Sequence, residues 1–84
     1  MRVGVQWIGS LNAGQARRWF TFNWPESWQV VWTIVPTSPR PGAPQVEWDV
    51  APERASAGMI TYWITVRNLT SAPLTFEGRY AVLN

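Results

Sequence analysis

No segment of this chain repeats its apolar residues at helical spacing. Short apolar runs alternate instead with breaks rich in proline and glycine. The runs fall at residues 2–9, 16–24, 28–35, 45–50, 59–68 and 73–83. Between them lie LNAG, the tight WPES turn, the longer PTSPRPGAP, the APERASAG connection and NLTSAP. Proline and glycine suit such breaks, where a fixed or positive φ is useful and a missing N–H costs no ladder bond. Six short strands punctuated in this way predict an all-β fold, a small antiparallel β-sandwich or flattened barrel. Helix is expected to amount to no more than a turn within PERAS.

A chain of 84 residues barely buries enough surface for one core, so residues 1–84 are expected to form a single domain. It has no cysteine and no histidine, which removes disulfides, thiolate sites and ordinary zinc sites together. Stability then rests on packing or on association between copies. Its seven tryptophans serve the first route, because each buried ring removes about 150–250 Å² from water. The question is which of them a core absorbs.

Two-residue alternation sorts the side chains onto faces. In residues 59–68, Ile60, Tyr62, Ile64 and Val66 form the core side and Thr61, Trp63, Thr65 and Arg67 the outer side. Along the last strand Leu74, Phe76, Tyr80 and Val82 point inward, and Thr75, Glu77, Arg79 and Ala81 outward. The same test puts Val3, Val5, Trp7, Val30, Trp32, Ile34, Val46, Trp48 and Val50 inside, with Trp28 following the inward set. In ARRWFTFNW it puts Phe20, Phe22 and Trp24 inside, leaving Arg17, Trp19, Thr21 and Asn23 outside. WFTFN (residues 19–23) and WITVR (residues 63–67) also echo one another, which an old duplication of two three-strand halves would produce and convergent strand patterning explains almost as well.

Trp19 and Trp63 are thus the surplus, accompanied by Arg17, Asn23, Thr65 and Arg67. Three chemistries suit such a face. Indole rings flanked by amide, hydroxyl and guanidinium groups bind sugars, so the leading expectation is a lectin-like carbohydrate-binding module with a glycan or small sugar as partner, displayed on a homo-oligomer. Tryptophan and arginine also dominate protein interfaces, so the alternative is a self-assembling subunit that buries the same face. Single-stranded nucleic acid stacks on aromatics too, but only Arg17 and Arg18 form a local basic pair, and a net charge of +2 is too small to favour it. A further possibility is that PTSPRPGAP covers the two rings, making them a satellite of the core.

The remaining features point away from catalysis. Every basic residue is arginine, so with lysine, histidine and cysteine missing the usual bases and nucleophiles are missing as well. Glu47 and Asp49 share the outer side of one strand at a spacing compatible with a carboxylate pair, yet the pattern is that of a solvated strand face. Two carboxylates supply too few ligands for calcium. The expectation is a binding protein, not an enzyme, with no cofactor and no metal. MRVGVQWIGSLNAGQ, with one arginine and an apolar run broken by glycine and glutamine, reads as neither signal peptide nor membrane span. Asn68-Leu69-Thr70 matches the glycosylation acceptor pattern but reads as turn chemistry, and Glu53-Arg54 as a surface pair.

Overall fold

The computed structural model describes residues 1–84 and is all β. Its strands are β1 (Arg2–Leu11), β2 (Ala16–Pro25), β3 (Val30–Pro36), β4 (Val46–Ser56), β5 (Met59–Asn68) and β6 (Leu74–Val82). They form two antiparallel three-stranded sheets, β1-β6-β3 and β2-β5-β4. Only β4 and β5 are joined within one sheet; every other connection crosses between the two. The segment APERAS, expected as a break, instead prolongs β4, and a tight turn through Ala57 and Gly58 leads into β5. Gly58 has φ +84°, a left-handed value that glycine adopts without steric cost. Pro52 is tolerated within β4 because that strand lies at a sheet edge.

The core between the sheets is built on Leu11, Trp24, Trp32, Ile34, Ile64, Val66, Leu74, Phe76 and Val82. Trp7, Trp19, Trp28 and Trp48 pack against it. Six of the seven tryptophans are therefore structural, and Trp63 alone stands outside. Alternation holds in β3, β5 and β6, whose inward sets include the most buried residues, and in Val46 and Trp48 of β4. Aromatic rings interlock within the core: Trp24 meets Trp32 edge-on at 5.4 Å, and Trp19 meets Phe76 edge-on at 5.2 Å. Such edge-to-face pairs add to the stabilisation from area burial. Trp24 also donates its indole N–H to the buried Thr21 hydroxyl at 2.9 Å.

Three strands carry an extra residue: in β4 it is Ala55, between Arg54 opposite Ile60 and Ser56 opposite Met59, and in β1 and β2 it changes which residues face the core. In β1 the register passes from Val5 opposite Arg79 to Trp7 opposite Gly78, so Gln6 is an extra residue. In β2 it passes from Thr21 opposite Tyr62 to Trp24 opposite Ile60, so one of Phe22 and Asn23 is extra. Each bulge reverses which side the preceding residues face. Val3 and Val5, expected inside, are 68% and 50% exposed; Phe20 and Phe22, expected inside, are 55% and 62% exposed. Conversely Trp19 and Thr21, expected outside, face the core. Asn23 carries the distortion at φ +65°, a conformation that asparagine tolerates better than most residues.

The suggested duplication does not survive the topology. Exchanging β1, β2 and β3 with β4, β5 and β6 would place β3 between β4 and β6, whereas β6 is the centre of its sheet and β3 an edge. Trp19 and Trp63, which the echo superposes, face opposite sides. PTSPRPGAP does not cover them either. Residues 37–44 of that connection are exposed, while Trp19 is covered by Phe76 and Trp7.

Candidate functional site

The outer face of the β2-β5-β4 sheet is set by observed register. Phe20, Trp63 and Ala51 stand in one row across the three strands, and Arg18, Thr65 and Asp49 in the next. Ala16, Arg67 and Glu47 form the third. On the far side of the Phe20 row, Thr61 faces Glu53 and lies beside the β2 bulge; it is buried although it belongs to the outer set.

The face has an aromatic centre. Phe20 lies 5.1 Å from Trp63 with the rings tilted by 36°, and Phe22 lies 6.1 Å from Phe20. The Arg18 guanidinium stands 5.7 Å from the centre of the Trp63 ring. Trp63 donates its indole N–H to Glu53 Oε1 at 2.7 Å, which fixes the ring's orientation. Arg67 is held by Glu47 at 2.8 Å in a cross-strand ion pair. Glu53 and Arg54 do not pair with each other: Glu53 serves Trp63, and Arg54 bridges to Glu26 in the β2-β3 turn. Exposed pairs of this kind add little stability, so their effect here is to fix side-chain positions at the rim.

Of the six residues picked from sequence, this face gathers Trp63, Thr65 and Arg67. Trp19 lies on the inner side of β2, and Arg17 shares its parity, with its guanidinium 5.0 Å from the Trp19 ring. Arg17 faces a pocket at the end of the sandwich rather than Trp63. Asn23 belongs to the bulge. The residues that the sequence reading missed are Phe20, Phe22 and Arg18. The one available signal was Asn23, a residue type that often marks a left-handed backbone position and hence a bulge.

Two other surfaces present apolar side chains to solvent. The outer face of β1-β6-β3 exposes Val3, Val5, Ile8 and Val31, with Arg79 paired to Glu77 among them. Between the bulged edges of β1 and β2 lies a cleft of about 250 Å³ lined by Gln6, Trp7, Trp19, Phe20, Thr21 and Phe22. No protein-family model, curated protein or solved structure matches this chain.

Proposed function

We propose that this protein is a non-enzymatic self-assembly module that buries the outer face of β2-β5-β4 against the same face of a second copy. The observation behind it is the aromatic centre formed by the exposed Phe20 and Phe22 with the half-buried Trp63, ringed by Arg18, Asp49, Glu47, Arg67 and Glu53. An apolar middle with a charged rim is the anatomy of a protein interface. The molecule measures 42 × 23 × 17 Å, so its broad faces offer the roughly 800 Å² per partner that a standard interface uses.

The register supplies the argument for a second copy as occupant. A two-fold axis running along β5 in the plane of contact exchanges β2 with β4. It sets the bulky Phe20 of one copy over the small Ala51 of the other, and Arg18 over Asp49. Each of these two contacts occurs twice, as a self-complementary interface requires, while on the axis Trp63 meets Trp63 and Arg67, already paired with Glu47, meets Arg67. Arg18 and Asp49 sit at opposite edges of one row, their backbones about 9.5 Å apart across two strand spacings, and they form no ion pair with each other within the chain.

The test is a charge exchange. Arg18→Asp and Asp49→Arg each set like charges face to face and are expected to weaken the dimer about tenfold or more, read as the dissociation constant in a dilution series. The combined variant restores opposite charges and is expected to recover most of the loss. If the combined variant is the sum of its parts, the two-fold arrangement is wrong.

Carbohydrate binding is the second reading of this face. Its support is Trp63, whose fixed ring stands beside Arg18 and Thr65. It ranks below self-assembly because a stacking floor of two indoles is reduced to one, and that ring is shared with Phe20 and Arg18. The same variants separate the two: sugar binding at Trp63 leaves the mass of the protein unchanged when Arg18 and Asp49 are exchanged.

A further inference from the structure

Three connections meet at one end of the sandwich: β1-β2 (residues 12–15), β3-β4 (residues 37–45) and β5-β6 (residues 69–73). They enclose a half-open pocket of about 420 Å³ lined by Ser10, Leu11, Asn12, Gln15, Arg17, Ser38, Pro73, Leu74 and Thr75. That volume is within the range of about 300–1,000 Å³ that small-molecule sites take. We propose that this pocket binds a small hydroxylated carboxylate of the uronic acid class, with Arg17 as its anion-binding group.

Charge comes first. Three of the seven arginines are tied to carboxylates, Arg54, Arg67 and Arg79. Arg17 is not. It faces the inner side of β2 at the open end, opposite the buried Val66, and no acidic residue lines the pocket. Its guanidinium rests 5.0 Å from the Trp19 ring, and Trp19 is itself held edge-on by Phe76 at 5.2 Å. An arginine positioned by an aromatic ring keeps its planar fork of N–H donors for an incoming carboxylate. A single cation matches a monoanion; a dianion such as phosphate would keep one charge uncompensated.

The neutral groups fit the remainder of such a ligand. The hydroxyls of Ser10, Ser38 and Thr75 and the side-chain amides of Asn12 and Gln15 provide donors and acceptors for ligand hydroxyls, and Leu11, Pro73 and Leu74 give an apolar wall. Gln15 accepts the Asn12 N–H through Oε1 at 2.8 Å, which leaves its NH₂ group for a ligand. The walls are braced. Asn68 N–H donates to Gln15 O, Leu69 N–H to Gln45 O and Thr37 N–H to Thr75 O. The Thr37 and Thr75 hydroxyls share a hydrogen bond of 2.7 Å. A pocket preformed in this way loses little entropy on binding.

The experiment is amide chemical-shift titration of the full chain with D-glucuronate, D-glucose and inorganic phosphate as separate probes. Glucuronate is expected to shift the amides of residues 10–17, 38 and 74–75 in a saturable manner, with glucose and phosphate each binding at least about tenfold more weakly. Arg17→Gln, with its fold checked by its fluorescence spectrum, is expected to weaken glucuronate binding about tenfold or more. Phe20→Ser/Phe22→Ser leaves it unchanged, which keeps this site separate from the assembly face. Equal binding of glucose, equal binding of phosphate, wild-type affinity in Arg17→Gln, or no saturable shift with glucuronate would each overturn the proposal.

Discussion

Gly78→Ala is expected to cost at least about 3 kcal/mol of stability, the upper end of what overpacking a core produces. Gly78 lies at the middle of β6, between Trp7 of β1 and Ile34 of β3 in register. The six-membered ring of Trp7 occupies the space that a side chain there would need. That ring cannot withdraw, because Trp32 and Phe76 pack around it at 6.0 and 6.1 Å. The only escape is to move β1 off β6, which breaks the ladder that forms half of this sheet. Urea unfolding followed by tryptophan fluorescence measures the loss as a fall in the transition midpoint. A midpoint within a few tenths of a molar of wild type would mean that the Trp7 contact is not as close as described.

Asn68→Ala is expected to be nearly as damaging, at about 3 kcal/mol. Asn68 is 1% exposed, and its side chain ties the end of β1 to the β5-β6 turn. Its Nδ2 group donates to Ala72 O at 2.8 Å, Asn12 O at 3.0 Å and Leu11 O at 3.4 Å. Its Oδ1 accepts the Thr70 N–H and the Thr70 hydroxyl, each at 2.8 Å. Alanine removes all of these: the Thr70 N–H loses its acceptor, and Asn12 O and Ala72 O are reduced to the bonds they accept from the Gln15 N–H and the Thr70 hydroxyl. An unsatisfied buried polar group costs about 1–3 kcal/mol, and the packing lost around a fully buried side chain adds to it. The same geometry explains the Asn-Leu-Thr motif: the amide is consumed inside the fold as the knot of the β5-β6 turn. Asn68→Asp keeps the Oδ1 contacts but loses the three donated bonds, so it should fall well short of wild type.

These two positions mark where the sequence was readable. The β6 pattern LTFEGRYAV gives its faces directly, because both faces differ in polarity and the strand is central and unbroken. β5 reads equally well through Ile60, Tyr62, Ile64 and Val66. β2 does not, because RRWFTFNW carries aromatic rings on both faces, so polarity cannot choose between the set of Trp19 and the set of Phe20. Counting back from a correctly placed Trp24 passes through the bulge at Phe22 and Asn23 and inverts every residue before it. β1 fails in the same way from Trp7 through Gln6, and there no residue type signals the extra position.

The inversion decided the candidate site. It took Trp19 and Arg17 out of the outer face and put Phe20, Phe22 and Arg18 into it, changing a floor of two indoles into a hydrophobic aromatic patch. It also brought Arg17 over Trp19 at the end of the sandwich, beside loops whose convergence follows from strand order alone. Strand order was not readable, since nothing in a set of short alternating runs says which pairs lie in one sheet. The end pocket was invisible for that reason.

The proposed assembly buries the Phe20, Phe22 and Trp63 face between two copies. Sedimentation equilibrium of the wild type beside Phe20→Ser/Phe22→Ser tests it most directly. Both side chains are exposed in the single chain, so the double variant should fold, and removing two aromatic anchors at about 2 kcal/mol or more each should weaken association by a factor of several hundred or more. The wild type is expected at twice the chain mass and the folded variant at the chain mass at the same concentration. A single-chain mass for both, or a dimer for both, would contradict it.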